Sequence, residues 1–208
     1  MPRLNQKTME KHRENILDAC AELYKRHGFQ EITMQDIAEQ TRLSRPSLYN
    51  YFPAKEDIFL ALMGREYDCW SEELETVTES QPDRLASALA RSLEKRPLML
   101  KLLSVNVYDI EEAAHPDNLA RFKKKYAASV HAFKKCLIRS LNCSPGRAEQ
   151  ILLGFFPYMN GLYPWTSPTA KQQQAMENHP LGLPILSLFD LVRQHTKQLF
   201  AGTASCDS

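Results

Sequence analysis

The sequence predicts an all-α protein made of two helical parts. Apolar residues recur at spacings of three and four along most of the 208 residues, and no stretch shows the alternation that is expected of a strand. Prolines and capping residues divide this pattern into segments. We expect a three-helix N-terminal domain over residues 1–54, a larger helical domain over 55–201 and a disordered tail over 202–208.

The first two helices are marked at their ends by capping residues. A helix from about Lys7 to His27 is followed by Gly28, which suits a left-handed helix cap. The second helix begins after Thr33, which can form a capping box with Asp36, and it runs to about Thr41. The sequence therefore places a short helix directly before the next segment.

A third helix follows, and its outer face is unusual. Ser44 is an N-cap candidate, and Pro46 lies in the first turn, where its missing N–H does no harm. Leu48 and Phe52 are four residues apart and should face inward, so that an arginine and two tyrosines point outward or sideways. A helix of about two turns is not stable alone. This outer face is suited to a groove of DNA, and the two short helices together predict a helix-turn-helix.

The rest of the chain is divided in the same way. Pro82, Pro97 and Pro116 are start or stop signals for shorter helices. The longer elements are expected as a helix from Lys55 to Glu79, a helix over 117–141, a helix beginning at Ser144–Pro145 with a kink at Pro157, a loop from Pro164 to Gly182 and a last helix from Leu183 to Phe200. Ile151 to Ala170 carries no charge, but its apolar part is short for a membrane span, and we interpret it as a buried interface helix.

Composition excludes several classes of protein. The net charge is +1, so the whole molecule is not a generic binder of polyanions. The five cysteines form no CxxC pair, and no signal peptide precedes the charged N-terminus, so we expect reduced thiols in a cytoplasmic protein. We find no nucleophile elbow, phosphate loop or paired catalytic carboxylates, and we expect neither an enzyme nor a bound metal or cofactor.

Residues 10–60 carry a family pattern. Its elements, in order, are Ile16 to Tyr24, Gly28-Phe29, Thr33, Asp36-Ile37-Ala38, Leu48-Tyr49, Tyr51-Phe52 and Lys55-Glu56. Together and at this spacing they resemble the TetR family of dimeric, ligand-responsive transcription regulators. The resemblance implies a helix-turn-helix domain joined to a helical ligand-binding and dimerisation domain.

The resemblance assigns DNA contacts to the N-terminal domain. Arg45 opens the recognition helix and can take a guanine edge bidentately. The other contacts to bases or phosphates are expected from Thr33, Pro46, Ser47, Tyr49, Asn50, Tyr51 and Lys55. Ala54 departs from the family's usual polar cap before Lys55, which weakens the expected start of the long helix.

The resemblance also implies a homodimer that reads a near-palindromic operator with two recognition helices about 34–36 Å apart. The last two long helices are the interface candidates, and their apolar residues are Ile151, Leu152, Phe155, Ile185, Leu188, Phe189, Val192 and Leu199. The same residues could instead be internal core.

A small, largely apolar ligand is the input that the family implies, with release of a repressor as its effect. Candidates to line its pocket are Trp70, Met99, Leu103, Tyr108, Phe122, Tyr126, Phe155, Phe156 and Tyr158. A stripe of methionine and aromatic residues at helical spacing is more often plain core.

Other interpretations stay open at this point. Cys136 and Cys143 could act as a redox sensor, and Asp109, Glu111, Glu112 and His115 could bind a metal. The protein could also bind DNA without sequence preference, as an architectural protein does. The acidic stretch 56–80 and the basic stretch 117–140 could be solvated faces, could pair with each other, or could include a second nucleic-acid patch at Lys123 to Lys125.

Overall fold

The computed structural model describes residues 6–105, 107–177, 182 and 186–201. Within these residues the regular structure is helical, which confirms the predicted all-α class. The described helices are α1 (Gln6–Arg26), α2 (Met34–Thr41), α3 (Arg45–Tyr49), α4 (Lys55–Thr76), α5 (Pro82–Glu94), α6 (Pro97–Leu103), α7 (Val107–Ala113), α8 (Pro116–Leu141), α9 (Pro145–Thr166), α10 (Ala170–Glu177) and α11 (Leu188–Ala201). Most ends lie within three residues of the sequence prediction.

Packing groups the described chain into two compact units. The first contains the described residues up to Glu66 together with Val105–Tyr126, and the second contains Tyr67–Ser104 and the described residues from Ala127 onward. Both α4 and α8 therefore contribute residues to each unit. The boundary predicted between residues 54 and 55 follows the chain, whereas this grouping follows contacts, and the predicted boundary stays a prediction.

The first unit is built on the capping signals that the sequence shows. Thr33 and Asp36 form the expected capping box at the start of α2, and the side chain of Ser44 accepts a hydrogen bond from the Ser47 N–H at the start of α3. Leu48 and Phe52 are fully buried, as their spacing predicts. These two side chains hold the short α3 against the unit, which α3 needs because so short a helix is unstable alone.

The start of α4 has a cap that the sequence analysis did not foresee. Ala54 has no polar side chain, but the buried carboxylate of Asp57 accepts a hydrogen bond from the Ala54 N–H at 3.0 Å. The other oxygen of Asp57 accepts from the backbone N–H of His115 at 2.9 Å. One carboxylate thus satisfies two backbone donors and fixes the start of α4 beside the start of α8 within the first unit.

The second unit has an aromatic core. Trp70 is fully buried and donates its indole N–H to the Ser92 hydroxyl at 3.1 Å. Its ring lies 5.6 Å from that of Phe133 and 6.5 Å from that of Phe155, with Phe156 against the same group. Rings of this size bury large apolar areas, so this cluster is a main source of the unit's stability.

Two arginines of the second unit cap the C-terminal ends of other helices. Arg139 donates to the carbonyls of Leu74 and Val77 at 3.0 and 2.8 Å, where α4 ends. Arg147 donates to two carbonyls of the last turn of α11, those of Leu199 and Phe200, at 2.7 and 2.8 Å. Cations stabilise this end of a helix because its last carbonyls have no helical partner.

The predicted loop from Pro164 to Gly182 is wrong for most of its described length. The helix α9 continues to Thr166 with two prolines inside it, and α10 begins after Thr169, whose N–H and hydroxyl exchange hydrogen bonds with Gln172. The last described helix begins at Leu188, after Ser187, which accepts a hydrogen bond from the Asp190 N–H. Of the predicted elements, the tail 202–208 and the start at Leu183 lie outside the described residues.

A search of the described helices finds no segment that is both long and apolar enough to cross a bilayer.

Candidate nucleic-acid interface

The outer face of α3 carries the residues that were expected to contact DNA. Arg45, Pro46, Tyr49 and Asn50 are exposed, and 40% of Tyr49 is accessible. The guanidinium of Arg45 lies 5.8 Å from the Tyr49 ring centroid and 3.4 Å from its hydroxyl. The two side chains therefore share one surface at the start and end of the helix, where arginine can bind a base edge and tyrosine a phosphate.

Two predicted contact residues have hydroxyls that are engaged locally. The Ser47 hydroxyl lies 2.7 Å from that of Ser44. The Thr33 hydroxyl and backbone N–H both donate to Asp36, at 2.7 and 2.8 Å. These hydrogen bonds lower the pKa of Asp36 below its ordinary value, because they stabilise its charged form. A phosphate at either hydroxyl would have to replace such a bond.

Tyr51 is half-buried at the end of residues 45–52, which are called the recognition segment below. Its ring lies 5.7 Å from that of His12 in α1, and its carbonyl accepts a hydrogen bond from Arg13 at 2.9 Å. The guanidinium of Arg13 also lies 4.2 Å from the centroid of the Phe52 ring. Arg13 thus braces the segment after α3 against α1, and its role is to position this segment.

Lys55 is engaged away from the outer face. Its ammonium donates to the Phe29 carbonyl at 2.9 Å and lies 4.2 Å from the Phe29 ring centroid. These contacts tie the start of α4 to the segment after α1. The lysine side chain is therefore a support of the domain, and a phosphate contact at this position would draw on the backbone N–H groups of the helix start.

Sequence reasoning missed two cations near this interface. Arg42 is exposed in the turn between α2 and α3 and has φ of 59°, a left-handed backbone that usually signals Gly or Asn. Arg13 lies three and four residues before Ile16 and Leu17 on the buried side of α1. That spacing could have placed it near the core, but nothing in the sequence pointed to the Tyr51 carbonyl.

The aromatic pocket candidates are divided between core and surface. Trp70, Met99 and Phe155 are fully buried, and only 7% of the Leu103 surface is exposed. These side chains therefore belong to the core of the second unit. Tyr108, in contrast, is 75% exposed on α7. The lining role predicted for Tyr108 is thus not supported by its surroundings, because nothing encloses so exposed a ring.

Four candidates remain half-buried or line a cleft. Phe122 borders a cleft in the first unit, and its ring lies 6.3 Å from that of Tyr126. Phe156 is half-buried beside the aromatic core. Tyr158 is also half-buried and stacks on His195 at 3.8 Å, and burial raises the pKa of its phenol.

The residues proposed for the dimer interface are mostly turned inward. Ile151, Leu152, Phe155 and Val192 are buried within the second unit and have little surface left for a partner. Half-buried positions are Leu188, Phe189 and Leu199, and Ile185 lies outside the described residues. The outward face of α9 instead carries Leu153, Pro157, Asn160, Gly161 and Trp165. The sequence could not separate these two faces because α9 is apolar on both.

The thiols give little support to a redox sensor. Burial raises the pKa of Cys20 to about 12 and also raises the pKa of Cys136, which is fully buried. Loss of hydration outweighs the nearby cation at Cys136, so burial counts against a thiolate there and favours the interpretation of Cys136 as a small apolar core residue. Cys143 is half-buried and its thiol faces the Leu137 carbonyl, while Cys69 is exposed.

The charged stretches pair with other elements in several places. Lys123 binds Glu111 of α7 at 2.7 Å, and Lys134 binds Glu149 of α9. Among residues 56–80, Arg65 binds Glu14 and Asp18 of α1 at 3.0 and 2.7 Å. Nowhere in the described chain do three or more His, Cys, Asp or Glu side chains come together as a metal site requires.

A helix-turn-helix with an exposed arginine and tyrosine, joined to an all-helical second part, defines a DNA-binding transcription regulator. Comparison with known families gives the same class. The family described as bacterial regulatory proteins, tetR family, matches residues 16–62, and the tetracyclin repressor-like C-terminal domain matches residues 64–205. The chain belongs to the TetR family of transcriptional regulators.

The relatives of similar sequence include both a repressor and an activator. The HTH-type transcriptional repressor KstR of Rhodococcus jostii is 23% identical over 135 residues, which cover 60% of this chain and 62% of that protein. The HTH-type transcriptional activator FasR of Mycolicibacterium smegmatis is 26% identical over 157 residues, covering 72% of this chain and 69% of that protein. The chain thus spans somewhat less than two thirds of the length of that KstR.

Solved structures share the fold at low identity. A TetR transcriptional regulator from Rhodococcus sp. RHA1 has a TM-score of 0.58 at 18% identity and covers 94% of this chain and 99% of its own. A TetR/AcrR-family regulator from Thermobifida fusca has the same TM-score at 20% identity, covering 93% and 98%. This likeness confirms the helical two-part architecture.

Proposed function

We propose that the protein is a homodimeric repressor that binds a palindromic operator through two copies of α3 and is released by a small, largely apolar ligand. The observation that carries the DNA-binding part is the exposed pair of Arg45 and Tyr49 above the fully buried Leu48 and Phe52. A short helix whose apolar side is packed against the domain and whose polar side faces solvent is suited to insertion into the major groove. Relatives named as repressors favour repression as the sign.

The first experiment is selection of bound fragments from genomic DNA with the purified protein. A single palindrome near a few promoters would support a sequence-specific regulator. Broad enrichment without a motif would instead indicate architectural binding, or a regulator that needs a ligand before it binds DNA. A search for the ligand, with the selection repeated in its presence, then separates those two cases, whereas competition with unrelated DNA separates an architectural protein from a sequence-specific regulator.

Arg45→Ala tests how the recognition helix reads sequence. One bidentate arginine–guanine contact is worth about 1–3 kcal/mol of discrimination, so the variant should lose roughly 5- to 150-fold preference at one position of each half-site. The matched control is Arg84→Ala, since Arg84 is an exposed arginine of α5. A uniform loss of affinity for all sequences would show that Arg45 contacts only phosphates.

The outward face of α9 is the interface that we propose for the dimer. Leu153 is 77% exposed and Trp165 is 70% exposed, and the positions between them carry no charge. An exposed apolar stripe of this length is unusual in a monomer. The same face on two copies, related by a two-fold axis, would give the symmetry that a palindrome requires.

Leu153→Glu tests this interface without disturbing the core. A charge placed within an apolar contact loses its hydration, so the variant should sediment as a monomer at micromolar concentration where the wild type is a dimer. Tyr108→Glu is the control, because Tyr108 is equally exposed but lies on α7. A dimer that persists in Leu153→Glu would place the interface elsewhere.

A further inference from the structure

The first unit contains a cleft of about 400 Å³, and one of the predicted pocket residues, Phe122, lies in its lining. Its walls come from α1, from the part of α4 before Glu66 and from the start of α8. This volume lies within the range of pockets that hold small organic ligands. Most of the other residues that were predicted to line a ligand pocket belong to the second unit.

One side of the cleft is apolar. Leu17, Leu60 and Phe122 line it and are themselves buried, and Met9 closes it from the first turns of α1. These four residues are called the apolar wall below. A hydrocarbon chain placed against this wall would bury apolar surface, which stabilises the bound state in proportion to the area buried.

The rim of the cleft is cationic. Arg13, Arg121 and Lys125 are called the cationic rim; all three line the cleft, and Arg121 is exposed. Burial lowers the pKa of the Arg13 guanidinium from its ordinary value, and the nearby charge of Arg121 lowers it further. The charge of Arg121 thus opposes that of Arg13, while Glu10, Glu14 and Asp57 act on Arg13 in the opposite direction.

The acids of the cleft offset this charge only in part. Glu14 binds Arg65 at 3.0 Å, and Arg65 also binds Asp18 at 2.7 Å. The lining has four cationic side chains, those of Arg13, Arg65, Arg121 and Lys125, and two carboxylates, those of Glu10 and Glu14. An anion between the guanidinium groups would therefore relieve their repulsion and add charge-assisted hydrogen bonds.

The position of Lys125 is set by close packing of two helices. A Cβ built on Gly64 of α4 would lie 2.8 Å from the Cδ of Lys125. Because glycine leaves this space open, the aliphatic part of Lys125 lies across α4 and holds the side chain at the rim. Long cationic side chains commonly cover apolar surface in this way while their charged ends stay near water.

We propose that this cleft binds a small amphipathic anion of the medium-chain carboxylate class, with the carboxylate at the cationic rim and the chain along the apolar wall. Inorganic anions lack the chain, and neutral alcohols lack the charge. The cleft has both a cationic rim and an apolar wall, so a ligand that carries both an anionic group and a hydrocarbon chain is the best match.

Arg13 links this cleft to the recognition segment. The same guanidinium that borders the cleft donates to the Tyr51 carbonyl at 2.9 Å and stacks on Phe52. A carboxylate in the cleft competes with the Tyr51 carbonyl for the donors of Arg13. Binding of the anion is thus expected to loosen the segment that follows α3 and to weaken operator binding. This second step rests on the proposed function, whereas the binding site itself does not.

Isothermal titration calorimetry with octanoate, below its micellar concentration, tests the site without any DNA. The wild type should bind octanoate, while octan-1-ol and inorganic phosphate should each bind at least tenfold more weakly. Arg121→Gln and Lys125→Gln should each weaken octanoate binding by about tenfold to a hundredfold, because each removes one charge-assisted hydrogen bond. Lys124→Gln is the control, since it removes the same charge from α8 but does not line the cleft.

Several results would overturn the site. These are the absence of octanoate binding to the wild type, equal affinity for octan-1-ol or for phosphate, and a loss in Lys124→Gln as large as in Arg121→Gln. Because Arg121 is exposed, its variant should keep the fold, and its thermal unfolding is compared with that of the wild type.

A second arm tests the link to DNA. Octanoate should weaken operator binding in a gel-shift assay for the wild type and for Lys124→Gln, but much less for Arg121→Gln. An unchanged operator affinity at saturating octanoate would overturn the link and leave the site standing. If genomic selection yields no operator at all, the proposed function fails while the calorimetric result is unaffected.

Discussion

Replacement of Arg13 by methionine is the most direct probe of how α1 supports the recognition segment. Methionine keeps most of the aliphatic stem but removes the guanidinium that donates to the Tyr51 carbonyl and lies over the Phe52 ring. Arg13 contacts the chain just after α3 through the Tyr51 carbonyl, so its loss acts through the position of that chain. We expect the variant to fold and to unfold at a lower temperature.

The magnitude follows from the two lost contacts. A hydrogen bond from a charged donor contributes about 1.5–3 kcal/mol, and a cation over an aromatic ring contributes about 0.5–2 kcal/mol. The burial of Arg13 and its repulsion by Arg121 oppose this stabilisation and are relieved in the variant. The net loss in the free energy of unfolding is therefore expected near 2 kcal/mol, which corresponds to about 4–8 °C in a chain of this size.

Differential scanning calorimetry and urea unfolding of Arg13→Met measure this loss. The matched control is Arg26→Met, since Arg26 is an exposed arginine of the last turn of α1. Wild-type stability in Arg26→Met, together with the expected loss in Arg13→Met, supports the bracing role. Equal melting temperatures for the two variants would refute the reasoning, because the contacts to Tyr51 and Phe52 would then contribute nothing measurable.

Two further results concern a cap and the thiols. Asp36→Asn should lower stability by about 1 kcal/mol, because a neutral amide oxygen replaces the charged carboxylate that accepts from the Thr33 N–H and hydroxyl. Because those hydrogen bonds lower the pKa of folded Asp36, the gap to wild type in thermal unfolding should be complete above about pH 4 and should close as the pH falls through the lowered pKa. An aromatic disulfide reagent should modify Cys69 rapidly, while Cys20 and Cys136 should react only on unfolding, as mapped by mass spectrometry.

Each of these has its own control. Glu39→Gln removes another exposed acid of α2, so a matching pH dependence in that variant would count against the cap. Cys69→Ser should abolish the rapid reaction assigned to that thiol. Modification of Cys136 in the folded protein at the rate of Cys69 would revive the redox hypothesis.

Local signals in the sequence predicted most of the fold. The capping box of Thr33, the cap at Ser44 and the inward spacing of Leu48 and Phe52 each act within a few residues, so their structure can be read from the chain alone. The helix α10 was missed because it is exposed along its length and has no apolar stripe. Its capping pair, Thr169 with Gln172, was the signal that could have found it.

The candidate sites were harder to predict because they depend on distant contacts. The bond from Arg13 to Tyr51 joins residues 38 positions apart, and no periodicity records such a pair. On α9, Ile151 faces inward and Leu153 faces outward. Both are large aliphatic residues, and the helix has no polar stripe that would show which side faces solvent. Arg42 has a left-handed backbone conformation that is usually found at glycine. The sequence therefore contains no signal for this conformation in the turn between α2 and α3.

The two tryptophans of the chain give it a pair of built-in optical reporters. Trp70 is enclosed in the aromatic core, and Trp165 is 70% exposed at the end of α9. Emission from the second should shift to the blue when another surface covers it, while emission from the first should change only when the core opens. One fluorescence spectrum, recorded against protein concentration and then against urea, can thus separate self-association from unfolding without any label.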